Sequence, residues 1–201
     1  MGALRVLVVE DSPDDAELIA IALKRGGYTL EWACVETEAQ MRVALRQCWD
    51  IIIADYSLPR FSGLAALALL AELKLDTPLI LVSGKIGEDV AVASLQAGAY
   101  DYVMKHQLSR LKPAVEHSLR EVSVRRERDA AQARLRESEE RLRTIISNLP
   151  CVVFQLLCRG VNGSYPYRLR YVSEGSLALL GHSPSELEDD SMRFLRLVDP
   201  E

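Results

Sequence analysis

Five short β-rich apolar runs punctuate the first half of the sequence, and this repetition limits the folds open to it. They are RVLVV (5–9), LEWAC (30–34), DIIIAD (50–55), PLILVS (78–83) and DYVMK (101–105). Ile51-Ile52-Ile53 and Leu79-Ile80-Leu81-Val82 show no alternation of apolar and polar residues. Such runs suit parallel strands covered on both faces. Helices fill the gaps between the runs. Ser12 is placed to cap the first, with Pro13 at its opening position and Gly26-Gly27 at its end. Thr37 and Gln40 form a capping box for the second. Gly63 opens the third, and EDVAVASLQAG (88–98) reads as the fourth, closed by Gly98. Alternating β and α units predict a doubly wound α/β sheet of five parallel strands.

In such sheets ligands bind at the carboxyl ends of the strands. Glu10 and Asp11, Asp55, Ser83 and Lys105 all stand at such ends. Carboxylates gathered there repel one another, and a cation relieves the repulsion. Mg²⁺ takes about six oxygen ligands and is usually held by one or two carboxylates with waters and phosphate oxygens. Asp11 and Asp55 are the natural direct ligands, with Glu10 acting through water. A carboxylate can also act as a nucleophile and form an acyl phosphate, which suits Asp55. Lys105 would neutralise the transferred group as a point charge. Ser83 could donate its hydroxyl to a phosphoryl oxygen, and Gly84 leaves room for it.

VVEDSPDD, DIIIADYSLPRFSGLAAL and LILVSGKIGEDVAVASLQAGAYDYVMK together resemble the CheY-like receiver domain of bacterial response regulators over about the first 120 residues. The resemblance implies a flavodoxin-like sheet and two-component signal transduction, with Asp55 as phosphoacceptor. It places the acidic pair on Glu10 and Asp11, the family's Ser/Thr on Ser83, the lysine on Lys105 and an aromatic switch on Tyr102. It adds the Ser57 backbone carbonyl as an Mg²⁺ ligand. A sensor histidine kinase or phosphotransfer protein is then the implied partner. Two positions depart from the pattern. His106 stands where the family usually has proline, and Arg60 where it often has glycine. The rival reading is a pseudo-receiver that binds proteins independently of phosphorylation.

From about Leu108 to Leu149 the sequence holds no glycine, and its one proline, Pro113, lies near the start. Leu111, Val115, Leu119 and Val122 mark one apolar stripe. Leu135, Leu142 and Leu149 mark a second at seven-residue spacing. Pairs such as Glu137/Arg141 and Glu139/Arg143 support an exposed helix. This predicts a long helix continuing from the receiver (1–122) through a linker (108–147) that joins two chains as a parallel coiled-coil homodimer. Residues 148–201 resemble the first half of a PAS domain, on NLP, VVFQ, YVSEGSLALLGHSPSEL and FLRLVDPE. The expected segment is a partial, truncated α+β unit, with Ser183 and Glu186 as a capping box and Pro184 at the first helical position.

A net charge of -5 gives no global basic footprint for nucleic acid, and none is expected as partner. No apolar run reaches the roughly 20 residues a bilayer demands, so the expected location is cytoplasmic, without membrane. The four cysteines form no CxxC pair and read as reduced thiols, most of them packing residues. The chain is not expected to be an enzyme on a separate substrate. A phosphatase of the haloacid-dehalogenase type wants an acid two residues after its nucleophile, and Pro13 stands two after Asp11.

Overall fold

A computed structural model describes residues 3–59, 61–84, 92, 95–158 and 167–198. It divides into two compact units between Arg128 and Asp129. In the first unit β1 (Leu4–Val9), α1 (Pro13–Arg25), β2 (Leu30–Val35), α2 (Glu38–Ala44), β3 (Ile51–Asp55), α3 (Gly63–Glu72), β4 (Leu79–Ser83) and β5 (Asp101–Met104) follow one another. A 3-10 turn, Lys105–Arg110, leads into α4 (Leu111–Ser147). The five strands are parallel, in the order β2-β1-β3-β4-β5.

The unbroken apolar runs behave as their composition requires. β3 and β4 are buried along their whole length, and β1 nearly so. Alternate side chains feed two cores. Leu7, Val9, Ile52, Ala54 and Leu81 pack with Met41 of α2 and Ala66 and Leu69 of α3. Val6, Val8, Ile51, Ile53, Ile80 and Val82 pack on the other face with Ile19 and Leu23 of α1 and Leu111 and Val115 of α4. Each fully buried Leu or Ile contributes about 1.5–3 kcal/mol. β2 is an edge strand, and Glu31, Trp32 and Cys34 on it are exposed.

The start and stop signals work as chemistry suggests. The Ser12 side chain accepts from the Asp15 N–H at 3.3 Å, and Pro13 follows at the first helical position. Gly27 takes φ +96° just past the end of α1, where a side chain would be strained. Thr37 and Gln40 form the capping box of α2. For α3 the cap is Ser62, which accepts from the Ala65 N–H, while Gly63 is the first helical residue. Most of the helix expected over 88–98 lies outside the described residues, as does Arg60. At its end Gly98, at φ +101°, donates to the Leu95 carbonyl at 3.0 Å.

α4 buries Leu111, Ala114, Val115, Ser118 and Val122, all in its first third. Arg125 and Arg126 pair with Asp76 in the loop before β4. Further along, Val124, Leu135, Leu142 and Ile145 are exposed. No helix of the described residues is long and apolar enough to cross a membrane.

In the second unit β6 (Phe154–Cys158) and β7 (Tyr167–Val172) pair antiparallel, with an irregularity between Gln155 and Leu156. Three short helices follow: α5 (Gly175–Leu180), α6 (Pro184–Asp189) and α7 (Ser191–Val198). Ser183 and Glu186 make the expected box at the start of α6, with Pro184 first in the helix. Leu169, Val172, Leu187 and Phe194 form a small core. Cys34, Cys48 and Cys151 are free and exposed, so these three are not the packing residues their spacing suggested.

Candidate functional site

The sheet register gathers the polar strand ends into one layer. Val9 is level with Ala54, so Glu10 and Asp55 emerge side by side from β1 and β3. Asp55 is level with Val82, and Ser83 with Met104, so Ser83 and Lys105 emerge beside them. The chain leaves β1 and β3 toward opposite faces, which opens a crevice between these two strand ends.

Lys105 is the hub. Its ammonium lies 2.8 Å from Glu10 Oε2, 2.5 Å from Asp15 Oδ2 and 2.7 Å from Asp55 Oδ2. Glu10 is 1% exposed and Asp55 8%. Burial pushes the Glu10 carboxyl above the usual carboxylate range, against the opposing pull of Lys105 and the Ser12 N–H. Burial acts to lower the Lys105 ammonium, but hydrogen bonds to Asp15, Asp55 and Glu10 outweigh it, and the group is held charged. The second oxygens of Glu10 and Asp55 are also engaged. Glu10 Oε1 accepts from the Ser12 N–H at 3.2 Å, and Asp55 Oδ1 from the Ser57 N–H at 3.0 Å.

Two glycines shape the site. A Cβ on Gly63 would press on the Leu81 side chain and stand 2.8 Å from the Asp55 carbonyl oxygen. α3 therefore starts directly against the backbone that carries Asp55. A Cβ on Gly84 would stand 3.9 Å from Lys105 Cδ, an ordinary contact, so Gly84 itself lies beside the lysine stem.

Most of the residues read from the sequence are brought together. Glu10, Asp55 and Lys105 touch, and Ser83, 1% exposed, lies in the same layer. Asp11 is exposed at the rim, and Ser57 is exposed beside Asp55. Tyr102 is buried in the core that faces α2 and α3. The sequence reading gave Asp15 no part in the site. It also missed the role of Gly63 against Asp55. The KHQ stretch after β5 forms a 3-10 turn in which Gln107 departs from helical geometry (φ −125°, ψ 40°). No cis peptide occurs among the described residues.

Among the described residues three carboxylates surround one ammonium, which leaves the crevice short of positive charge, and the ligand atoms they offer are oxygen. That chemistry fits Mg²⁺. Among the described residues no three His, Cys, Asp or Glu side chains converge into a ready cage. The fit is therefore to an ion held by one or two carboxylates, with waters and phosphate oxygens completing its shell.

The family profile of the response regulator receiver domain matches residues 6–116. This chain belongs to the response regulator receiver family. The receiver covers more than half of the sequence and contains every strand-end residue described above. Among its relatives is the phosphate regulon transcriptional regulatory protein PhoB of Pseudomonas aeruginosa, 34% identical over 105 residues, which are 50% of this chain and 44% of that one. The signal receiver domain of a signal transduction histidine kinase from Syntrophus aciditrophicus is 30% identical, covers 60% of this chain and 92% of that one, and superposes with a TM-score of 0.50. A receiver domain from Clostridium thermocellum, at 21% identity and a TM-score of 0.53, covers 60% of this chain and 98% of that one and shows the shared fold. The chain spans about half the length of the first curated relatives it matches, 50% and 45%.

Proposed function

We propose that the receiver accepts a phosphoryl group on Asp55 from a phosphohistidine of a sensor kinase or phosphotransfer protein, or from a small acyl phosphate. The observation that carries this is the Lys105 ammonium, held 2.7 Å from Asp55 and 2.8 Å from Glu10 in a half-closed crevice. An Asp55 carboxylate oxygen attacks phosphorus and forms the acyl phosphate bond. The bond from phosphorus to the donor breaks, and the donor leaves with that electron pair. Lys105 is placed to offset the charge on the transferred group, and Ser83 to donate to one of its oxygens. Mg²⁺, held by Asp55, Asp11 and the Ser57 carbonyl, with Glu10 through water, would shield phosphate charge during transfer. In this reading the chain is the substrate of its own phosphorylation and hydrolysis, not an enzyme on a separate molecule. Reduction of the phosphorylated protein with borohydride converts an aspartyl phosphate to homoserine. Peptide mapping should place homoserine at position 55, and conversion elsewhere contradicts the assignment.

The signal is proposed to leave through α4. Its first third is anchored on the receiver core, whereas Val124, Leu135, Leu142 and Ile145 offer an exposed apolar seam. A second copy of α4, packed in parallel, would cover that seam. The second unit is proposed as a PAS-like segment. A two-stranded sheet followed by three short helices around Leu169, Val172, Leu187 and Phe194 supports that reading. Tyr102 is proposed as the residue whose packing reports the state of Asp55.

A further inference from the structure

We infer that Asp15 is a positioning residue that competes with the incoming phosphoryl group for Lys105. The inference rests on Asp55 being the phosphoacceptor. An ammonium has three N–H donors. Here three carboxylates lie within 2.8 Å of it: Glu10 Oε2, Asp15 Oδ2 and Asp55 Oδ2. The donors are fully engaged before any phosphoryl group arrives. For Lys105 to reach a phosphoryl oxygen, one carboxylate has to let go.

Burial decides which one. The Glu10 side chain is 1% exposed and that of Asp55 11%, whereas that of Asp15 is 35% exposed. Releasing Glu10 would strand a buried charge, the costly way to break an ion pair. Phosphoryl transfer turns the Asp55 contact into one with the group Asp55 carries, so Glu10 and Asp15 are the carboxylates that still compete for the ammonium. Asp15 sits in the first turn of α1. Water can replace Lys105 there, and the helix N-terminus still favours a negative charge. Asp15 is thus the partner that Lys105 exchanges.

The exchange has a direction. In the resting site Asp15 holds Lys105 in place. In the occupied site it is a free carboxylate next to added negative charge, and it draws the lysine back. Asp15 therefore weakens retention of the phosphoryl group and tilts the receiver toward its unoccupied state. Removing its charge tightens the occupied state, and an acid of different length keeps the competition.

The test uses beryllofluoride as the phosphoryl analogue, at saturating Mg²⁺, titrated calorimetrically into the full chain. Asp15→Asn should bind it about fivefold more tightly than wild type, the scale of one partly exposed ion pair. Asp15→Glu should stay close to wild type, which a mere packing defect would not allow. Thermal melts establish that both variants are folded. Unchanged or weaker binding by a folded Asp15→Asn overturns the inference, as does an Asp15→Glu that behaves like it. Asp55→Asn separates the two levels. Wild type without affinity, or affinity that survives Asp55→Asn, overturns the phosphoacceptor reading and this inference with it. Wild-type affinity abolished by Asp55→Asn, with no gain from Asp15→Asn, overturns the Asp15 inference alone.

Discussion

Lys105 and Glu10 stand 95 residues apart in the chain and 2.8 Å apart in space. Their contact joins the ends of two strands that are not neighbours in the sheet, β1 and β5, and it brings an ammonium to a carboxylate that water barely reaches. Loss of that ammonium leaves Glu10 buried without its cation. Lys105→Met should lower receiver stability at neutral pH by about 2 kcal/mol, less than a fully buried pair because the lysine is part-exposed. Urea denaturation measures this. The raised Lys105 ammonium means its contribution is fully present below its ordinary value of 10.5 and lost only as pH rises beyond that, so neutral buffer reports the whole effect.

Glu10 gives the opposite pH signature. Its carboxyl is raised above 4.5 by burial, so the stability it contributes is present below that pH and is lost as pH rises through the folded value. Glu10→Gln removes the ionisation. Its unfolding free energy should change less than that of wild type between pH 4.5 and neutrality. Paired denaturation series at the two pH values check this, and parallel curves for the two proteins contradict it. The same charge makes Mg²⁺ stabilising, so saturating Mg²⁺ at neutral pH should raise the melting temperature of wild type more than that of Glu10→Gln.

Gly63→Ala should cost about 1–3 kcal/mol, the usual range for overpacking, because the added methyl meets Leu81 and the Asp55 carbonyl. The same displacement should slow phosphorylation of Asp55 by acetyl phosphate. A variant as stable and as fast as wild type would mean that α3 yields without disturbing β3.

The exposed seam of α4 yields a test of assembly. Sedimentation should show wild type as a dimer at micromolar concentration and a Leu135→Glu, Leu142→Glu double variant as a monomer with an intact receiver. A monomeric wild type contradicts the proposed coiled coil.

The receiver was legible because its constraints are local. An unbroken apolar run such as Ile51-Ile52-Ile53 has few homes other than a strand covered on both faces, and an acid placed directly after it must lie at the strand end. Glu10, Asp55, Ser83 and Lys105 follow from that logic alone. Asp15 does not. Acids are common in the first turn of any helix, and nothing in SPDD tells a dipole-stabilising acid from one aimed at a lysine 90 residues away. Only the way α1 is seated on the sheet, through Ala16, Ile19 and Leu23, turns Asp15 toward Lys105. Gly63 was read as a helix opener for a similar reason. Its closeness to Asp55 is a tertiary contact, and Ser62 beside it does the capping. β2 was placed at 30–34 by its β-rich composition, although LEWAC mixes apolar and exposed positions as an edge strand does. In α4 the two apolar stripes looked alike, but the first is filled by the receiver's own core and the second is left open.

The most direct measurement is intact mass after incubation with acetyl phosphate and Mg²⁺, for wild type and Asp55→Asn side by side. A gain of one phosphoryl group by wild type, absent from a folded Asp55→Asn, is the expected result. Equal gain by both proteins, or none by a folded wild type that binds Mg²⁺, would contradict phosphorylation at Asp55.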